Sequence, residues 1–506
     1  MPRFAAACAA LRPDEIAIRD ERRALDWARL DDALNRVANG LNALSFGPDR
    51  RIAVFSENAI ETSLANLGGL IAGASVVPVN FHLTAAETAY ILQDSGATVL
   101  FVDGATATRG VQAARMASVN IIIGWNADHR EIINFADWMA VQSGASARED
   151  LPPKPNLLYT SGTTGRPKGT ELPPTMFAGG ASVAEHLEAL KENPVAGCGT
   201  HLVVGPMYHT GPLAGTRLLA AGVPSVILGR FDAEKTLRTI ERYRIGSATM
   251  VPTHFVRLLD LPADTRSQYD LSSLQRVSHT GAKCPVGVKR GMIEWWGPVF
   301  AEAYGATEVG VTCRIDSEEW LKYPGSVGQS LAPFEAIVLD DDNQPVAPNT
   351  EGRLYFRDTS GRGVVYHGNP KKSAEVHIAP GVFTLGEIGY MNEDGYVYIT
   401  DRFSDMVVSG GVNIYPAEAE HVLQEHRAVR DVACIGVPHA EMGEELKALV
   451  VLHDPEAEPL PDELISWCRE RLTHYKCPRS VAFSDDLGRN TMGKVNKRTL
   501  RAPYWS

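Results

Sequence analysis

Short apolar runs and helically spaced stretches alternate along the first half of the chain. Residues 51–56 (RIAVFS) read as a buried strand, a helical pattern follows to about residue 72, and another strand falls near 74–78. Residues 85–95 read as a helix, 97–102 as a strand and 121–125 (IIIGW) as a further strand. The alternation resumes over 201–258, where HLVVGP, SVILG and SATMVP are strand-like. Strand–helix–strand order of this kind predicts parallel sheets covered by helices. Residues 62–80 (TSLANLGGLIAGASVVPVN) carry no charge and are long enough to raise the question of a membrane span. Their three glycines, one proline and four Ser or Asn residues favour a buried helix running into a buried strand.

The pattern changes twice more. Over 325–400, short strands separated by turn residues predict a small β-rich subdomain. The last hundred residues mix amphipathic helices (ELISWCRERL) with apolar strands and predict a compact α+β module. Between them, TDRFSDMVVSGG is polar and glycine-rich, which places a boundary near Ser404. The expected fold class is therefore α/β and α+β. A large amino-terminal domain (1–403) of helix-covered sheets, with its β-rich subdomain, is hinged to a small carboxy-terminal α+β domain (404–506). The length of 506 residues allows two or more domains.

A net charge of −12, with no basic stripe interleaved with aromatics, argues against a nucleic-acid binder. Seven scattered cysteines without a CxxC pair argue against a disulfide framework or a zinc site and fit a reducing compartment. Residues 1–11 form only a short alanine-rich run ending at Arg12 and Asp14, unlike a signal peptide. The expectation is a soluble, cytoplasmic protein.

One stretch carries chemistry. YTSGTTGRPKGT (159–170) follows the apolar PNLLY and holds four threonines, three glycines, a serine, Arg166 and Lys168, with no acid. Glycines let backbone N–H groups converge on one anion, hydroxyls add neutral donors, and the two cations add charge. Such a loop suits a polyphosphate. The Walker A spacing is missing, because Lys168 follows Pro167.

Further segments follow: PMYHTGP (206–212), YGATE (304–308), GEIGYMNEDGYVYITDR (386–402), SGGVNIYP (409–416) and MGK (492–494). In this order they resemble the motifs of the adenylate-forming superfamily, which includes acyl- and aryl-CoA synthetases, firefly-type luciferases and peptide-synthetase adenylation domains. The chain is most similar to a fatty-acyl-CoA ligase, from about residue 12 to its end. The resemblance implies ATP, Mg²⁺ and CoA as cofactor and co-substrates, with no nucleic-acid partner, and it allows a homodimer. Thr160, Ser161, Gly162, Thr163, Thr164, Gly165 and Lys168 would cradle the β- and γ-phosphates. Thr307 would donate to the α-phosphate, and Glu308, with Thr164, would hold Mg²⁺. Tyr304 and Gly305 would meet the adenine, which Gly281 and Ala282 would line, and Glu387, Asp401 and Arg402 would contact the ribose. Lys494 would bridge carboxylate and α-phosphate; His209 would stand between acyl pocket and thiol path, with Gly410 and Gly411 lining that path. The acyl pocket would draw on Tyr208, Thr210, Gly211, Val251, His254, Phe255, Val309 and Gly310.

The sequence departs from the family pattern in places. The usual Thr-Gly-Asp reads Leu385-Gly386-Glu387, the usual Gly-Arg reads Asp401-Arg402, the hinge position is Ser404, Lys283 replaces a small residue, and the lysine motif lacks its proline. None of these removes a group the chemistry requires. PMYHTGPLAG has no acid to pair with an amino group, and no carrier domain follows the lysine motif. A plain, hydrophobic carboxylic acid and free CoA are therefore expected. KCPVGVKRGMIEWWGPVFAEAYGATE resembles ligases acting on steroid and bile-acid side chains, so a polycyclic acid stands beside a medium or long fatty acid. A ligase loading a carrier protein and a non-catalytic acyl-ligand binding protein are the alternatives.

Overall fold

Strands that are apolar along their whole length must be covered on both faces, and this is what the structure shows. Every residue of Arg51–Phe55, Ser75–Val79 and Val99–Asp103 is buried. With Ile121–Trp125 and Ile133–Asn134 they form a five-stranded, all-parallel sheet. The computed structural model describes the whole chain except residues 1–3, 45–46, 48, 161–166, 194, 283, 285, 341, 403–406, 415, 455–458, 489–494, 496 and 506. The side chains of Phe4, Thr400, Asp401, Arg402, Asn413, Ala417 and His421 also lie outside the description.

The uncharged segment resolves into the helix Ile60–Ile71, buried on all sides, and the strand Ser75–Val79. Among the described residues no helix is long and apolar enough to cross a membrane. Its last turn packs closely enough that a Cβ on Gly69 would fall 2.6 Å from Ile52 Cδ1.

A second, nine-stranded sheet holds the functional segments. Its central strands Ser225–Ile227, Thr200–Val203, Ile245–Met250, Arg276–His279 and Phe300–Ala306 run parallel in that spatial order. Parallel strands bring their carboxyl ends to one edge, where ligands of open α/β sheets bind. The segments leaving four of these strands are therefore neighbours in space: 204–210, 251–254, 280–284 and 307–308. The short hairpin of Leu157–Thr160 and Lys168–Glu171 brings the ends of the glycine–threonine loop beside them.

The β-rich subdomain is the antiparallel sheet built on Phe334–Leu339, Gly352–Asp358, Val382–Met391 and Val397–Arg402. Beyond it, the helix Pro416–Gln424, the long hairpin Val429–His439 and Gly443–Leu452, the helix Pro461–Arg469 and the strand Ser480–Phe483 make the carboxy-terminal module. This module has its own core, with Val407, Leu423, Cys434, Ala448, Val450, Leu464 and Cys468 packed together. The architecture agrees with a large amino-terminal domain and a small carboxy-terminal one. The expected hinge residue Ser404 lies outside the described residues.

Candidate active site

A cavity of about 2390 Å³ opens where the sheet edge, the β-rich subdomain and the carboxy-terminal module meet. A drug-sized ligand needs roughly 300–1,000 Å³, so this space can hold more than one substrate at a time. Its wall contains Thr160, Lys168, Gly281, Ala282, Tyr304, Gly305, Thr307, Glu308 and Glu387 together with His209, Thr210, Gly211, Val251, His254, Gly310, Gly410 and Gly411. Residues from six separated motifs thus share one surface.

At the polar end, the Thr160 hydroxyl donates to Oε1 of Glu308 at 3.1 Å. Burial pushes the Glu308 carboxyl up, opposed by that hydrogen bond and by the charge of Lys168. Burial lowers the Lys168 ammonium, whose Nζ stands 5.4 Å from the centre of the Tyr366 ring. The Thr210 and Thr307 hydroxyls share a hydrogen bond of 3.4 Å, joining the acyl-side and nucleotide-side motifs. The Tyr304 hydroxyl donates to Oε2 of Glu387 at 2.7 Å. The glutamate found where the family has aspartate therefore reaches the tyrosine of the nucleotide motif. Gly305 leaves no room for a side chain, because a Cβ there would strike the Gly310 carbonyl.

At the apolar end, the helix Thr210–Leu218 turns Gly211, Ala214, Gly215 and Leu218 to the cavity. The i, i+3, i+4, i+7 spacing makes these one face. His209 is exposed to the cavity although protein surrounds it, and these surroundings and the nearby His82 push its imidazole down to about 4. Val251 faces Gly411, whose absent Cβ would lie 3.2 Å from Val251 Cγ2. His201 lies deeper, 2% exposed, with Nδ1 paired to the Ser247 hydroxyl at 2.9 Å and Nε2 without a hydrogen-bond partner among the described residues.

Three residues expected in the acyl pocket are not on the cavity wall. Phe255 is fully buried, edge-on to His279 and Phe300 at 5.3 Å each. Its helix, Pro252–Leu259, turns Thr253, His254 and Val256 to the cavity and Phe255 to the core. Val309 is 1% exposed in the subdomain core, and Tyr208 packs against Phe81 at 5.3 Å. Strand pairing sets Asp401 opposite Ile388 and Arg402 opposite Glu387, so both positions border the cavity strand. Ser161, Gly162, Thr163, Thr164, Gly165 and Lys494 lie outside the described residues.

The structure adds residues that the motifs did not disclose. Arg362 donates from Nη1 to the Glu308 carbonyl oxygen at 3.2 Å, and Tyr366 and Lys372 line the cavity near Lys168. The signal available was GRG at 361–363, an arginine between glycines, where Gly363 has a φ of 60°.

Two family profiles match the chain: the AMP-binding enzyme over residues 5–364 and the AMP-binding enzyme C-terminal domain over 418–494. The chain belongs to the AMP-binding enzyme family. Among curated relatives of this AMP-binding enzyme, a methyl-dioxo-octahydroindenyl-propanoyl:CoA ligase of Mycobacterium tuberculosis is 33% identical, over 97% of this chain and 96% of the relative. A feruloyl-CoA synthase of an Amycolatopsis species is 33% identical, over 98% and 97%. An amide bond synthetase of Marinactinospora thermotolerans has the same fold, with a TM-score of 0.84 at 25% identity over 99% of this chain and 100% of that one. The o-succinylbenzoate CoA synthetase of Bacillus subtilis matches in two complexes, each 25% identical over 99% of this chain and 98% of that one. A double mutant bound to the product analogue OSB-NCoA gives a TM-score of 0.80; the complex with the acyl-adenylate OSB-AMP gives 0.64. The AMP-binding enzyme described here thus superposes more closely on the CoA-analogue complex than on the acyl-adenylate complex.

Proposed function

We propose that this chain is an AMP-forming acyl-CoA ligase that activates a hydrophobic, ring-bearing carboxylic acid. The single observation that carries the reading is the convergence of Thr160, Lys168, Thr307, Glu308 and Glu387 with an apolar wing on one cavity wall. The relatives named as CoA ligases support the acid–thiol ligase class.

A carboxylate is a poor acyl donor because oxide is a poor leaving group. Its oxygen attacks the α-phosphate of ATP, the bond to pyrophosphate breaks, and the acyl carbon gains AMP as leaving group. Most of the catalysis is positioning and electrostatic stabilisation of the charge that grows on phosphate oxygens. Lys168 and Thr160 stand where the hydroxyl-rich loop begins and ends, and Thr307 faces the junction with the acyl side. Glu308 and the Thr160 hydroxyl offer hard oxygen donors. Among the described residues no group of three or more His, Cys, Asp or Glu converges. Glu308, with the Thr160 hydroxyl beside it, would hold a hard cation such as Mg²⁺. The chemistry such a cation would supply is charge neutralisation of the phosphates. In the second half-reaction the CoA thiol attacks the acyl carbon and AMP leaves. Gly411, at positive φ, brings bare backbone against Val251, and Gly410, also at positive φ, lies against Met442 and Thr253; together they would line the way to that carbon. Domain limits of 1–403 and 404–506 are part of this reading.

The apolar wing favours a broad acid. Along the helix face from Gly211 to Leu218, seven residues at a rise of about 1.5 Å span roughly 10 Å. Three of the four side chains there are hydrogen or methyl, which leaves width for fused rings as well as depth. The test is pyrophosphate release against fatty, aryl and polycyclic acids, with and without CoA. CoA-dependent turnover strongest with polycyclic acids is expected. Turnover that ignores CoA refutes the acceptor, and a preference for linear acids refutes the ring.

A further inference from the structure

Lys476 is 2% exposed at the end of the single turn His474–Lys476 in the carboxy-terminal module. A buried ammonium requires close carboxylates, and this one has two. Its Nζ donates to Oε2 of Glu418 at 2.7 Å, within its own module. It also donates to Oε1 of Glu87 at 2.9 Å, across the boundary to the amino-terminal domain. Glu87 and Glu418 lie in the first turns of the helices Ala85–Ser95 and Pro416–Gln424, where the helix dipole favours negative charge. None of the three residues lines the cavity, so the chemistry does not account for them.

The neighbouring contacts follow the same line. The Tyr475 hydroxyl accepts from Nδ2 of Asn80 at 2.9 Å, and its ring meets that of His82 edge-on at 6.0 Å. On the far side of the Gly410–Gly411 turn, the modules are also joined by Arg257 and Glu441 at 2.8 Å, but these side chains are 40% and 48% exposed. Exposed pairs contribute little. Among the described residues, the ion pair of Lys476 with Glu87 is the buried one that joins the two domains.

The Bacillus subtilis synthetase fits this structure better in its CoA-analogue complex than in its acyl-adenylate complex, 0.80 against 0.64. A module that leaves this arrangement takes Lys476 and Glu418 with it and leaves Glu87 behind. We infer that Lys476 is a positioning residue for thioester formation: its bond to Glu87 holds the carboxy-terminal module where the thiol is received. The inference rests on the acyl-CoA ligase reading.

The test uses Glu87→Gln in the full chain. Glu87 serves two sets of donors, because its Oε2 also accepts from the Thr84 N–H and hydroxyl at 2.9 Å each. A glutamine has one acceptor oxygen and cannot satisfy both. Thr84→Ala is the control: it removes the helix cap and leaves Lys476 its carboxylate. Replacing a charged by a neutral hydrogen bond predicts thioester formation from preformed acyl-adenylate about tenfold slower in Glu87→Gln. Pyrophosphate exchange should stay within about twofold of wild type, because on this assignment the bond has a role only in the arrangement that receives the thiol. Small-angle scattering should show a wider molecule than wild type. Thr84→Ala should lower the melting temperature and leave the ratio of the half-reactions unchanged. An unaltered thioester step, or an equal loss in both half-reactions, overturns the assignment. Should the wild type fail to use CoA at all, the ligase reading falls instead, and scattering alone decides: identical profiles for wild type and Glu87→Gln overturn the inter-domain hold, and a wider variant supports it.

Discussion

Lys289→Met tests how the adenine-side loop is held. Lys289 is fully buried on the helix Val286–Trp296, with Nζ 2.5 Å from Oε2 of Glu302 and 4.9 Å from the centre of the Trp320 ring. Burial lowers the Lys289 ammonium, and Glu302 opposes that shift. His279, also fully buried, stands 3.7 Å from the same carboxylate, and burial keeps its imidazole neutral by pushing its pKa well below 6.5. Methionine matches the lysine stem in volume, so the substitution removes the charge with little change in packing. The Glu302 carboxylate would then face a neutral imidazole. Removing one partner of a buried pair costs about 3–5 kcal/mol. The loop of Gly281, Ala282 and Cys284 lies between the strand Arg276–His279 and this helix, so its anchorage weakens with the pair. Urea unfolding followed by tryptophan fluorescence should show the first transition moved by that amount. Lys289→Met/Glu302→Gln should recover most of it. In the single variant the folded carboxyl would hold its proton to higher pH than the unfolded one. Folding then takes up a proton, and the deficit grows as pH rises above about 4.3 and shrinks on acidification. A loss below about 1 kcal/mol, or a double variant as unstable as the single, would refute the reasoning.

Burial pushes His186 and His201 down to about 4 and His254 down to about 3, from 6.5. Unfolded chains bind these protons first, so stability is full above pH 6.5 and falls as pH drops toward 4, by about 1.4 kcal/mol per pH unit for each histidine; a urea midpoint that is flat from pH 7 to 5 would contradict this. Gly411→Ala adds a side chain at a φ of 78°, at a cost of about 1–2 kcal/mol, and narrows the gap to Val251; thioester formation should slow more than pyrophosphate exchange, and equal slowing would remove Gly411 from the thiol path. Lys494→Ala should abolish adenylation and leave thioester formation from supplied acyl-adenylate largely intact. Wild-type adenylation in that variant would end the proposed role.

The periodic segments show why so much of the fold could be read directly. The helix Ala85–Ser95 and the strand Ile121–Trp125 fall where their patterns placed them, because local hydrophobic period and a capping box (Thr84 with Glu87) act over a few residues. The motif residues Thr307, Glu308 and Thr160 were also legible, since each belongs to a short string with a chemical reason. Side-chain direction was not. Phe255 sits between His254 and Val256, which face the cavity, and nothing in the order THFV says which one turns inward.

The sequence by itself determined the parallel-sheet class, the two-part organisation and the adenylate-forming chemistry, because these depend on period, composition and contiguous motifs. Tertiary structure alone decided which charges are buried. Lys289 finds Glu302 from 13 residues away, and Lys476 finds Glu87 from 389 residues away. A lone lysine reads as solvated until a carboxylate that distant is brought within hydrogen-bond reach. Only folding supplies that proximity, since the energy of a buried charge depends on its neighbours in space and not on those in the chain.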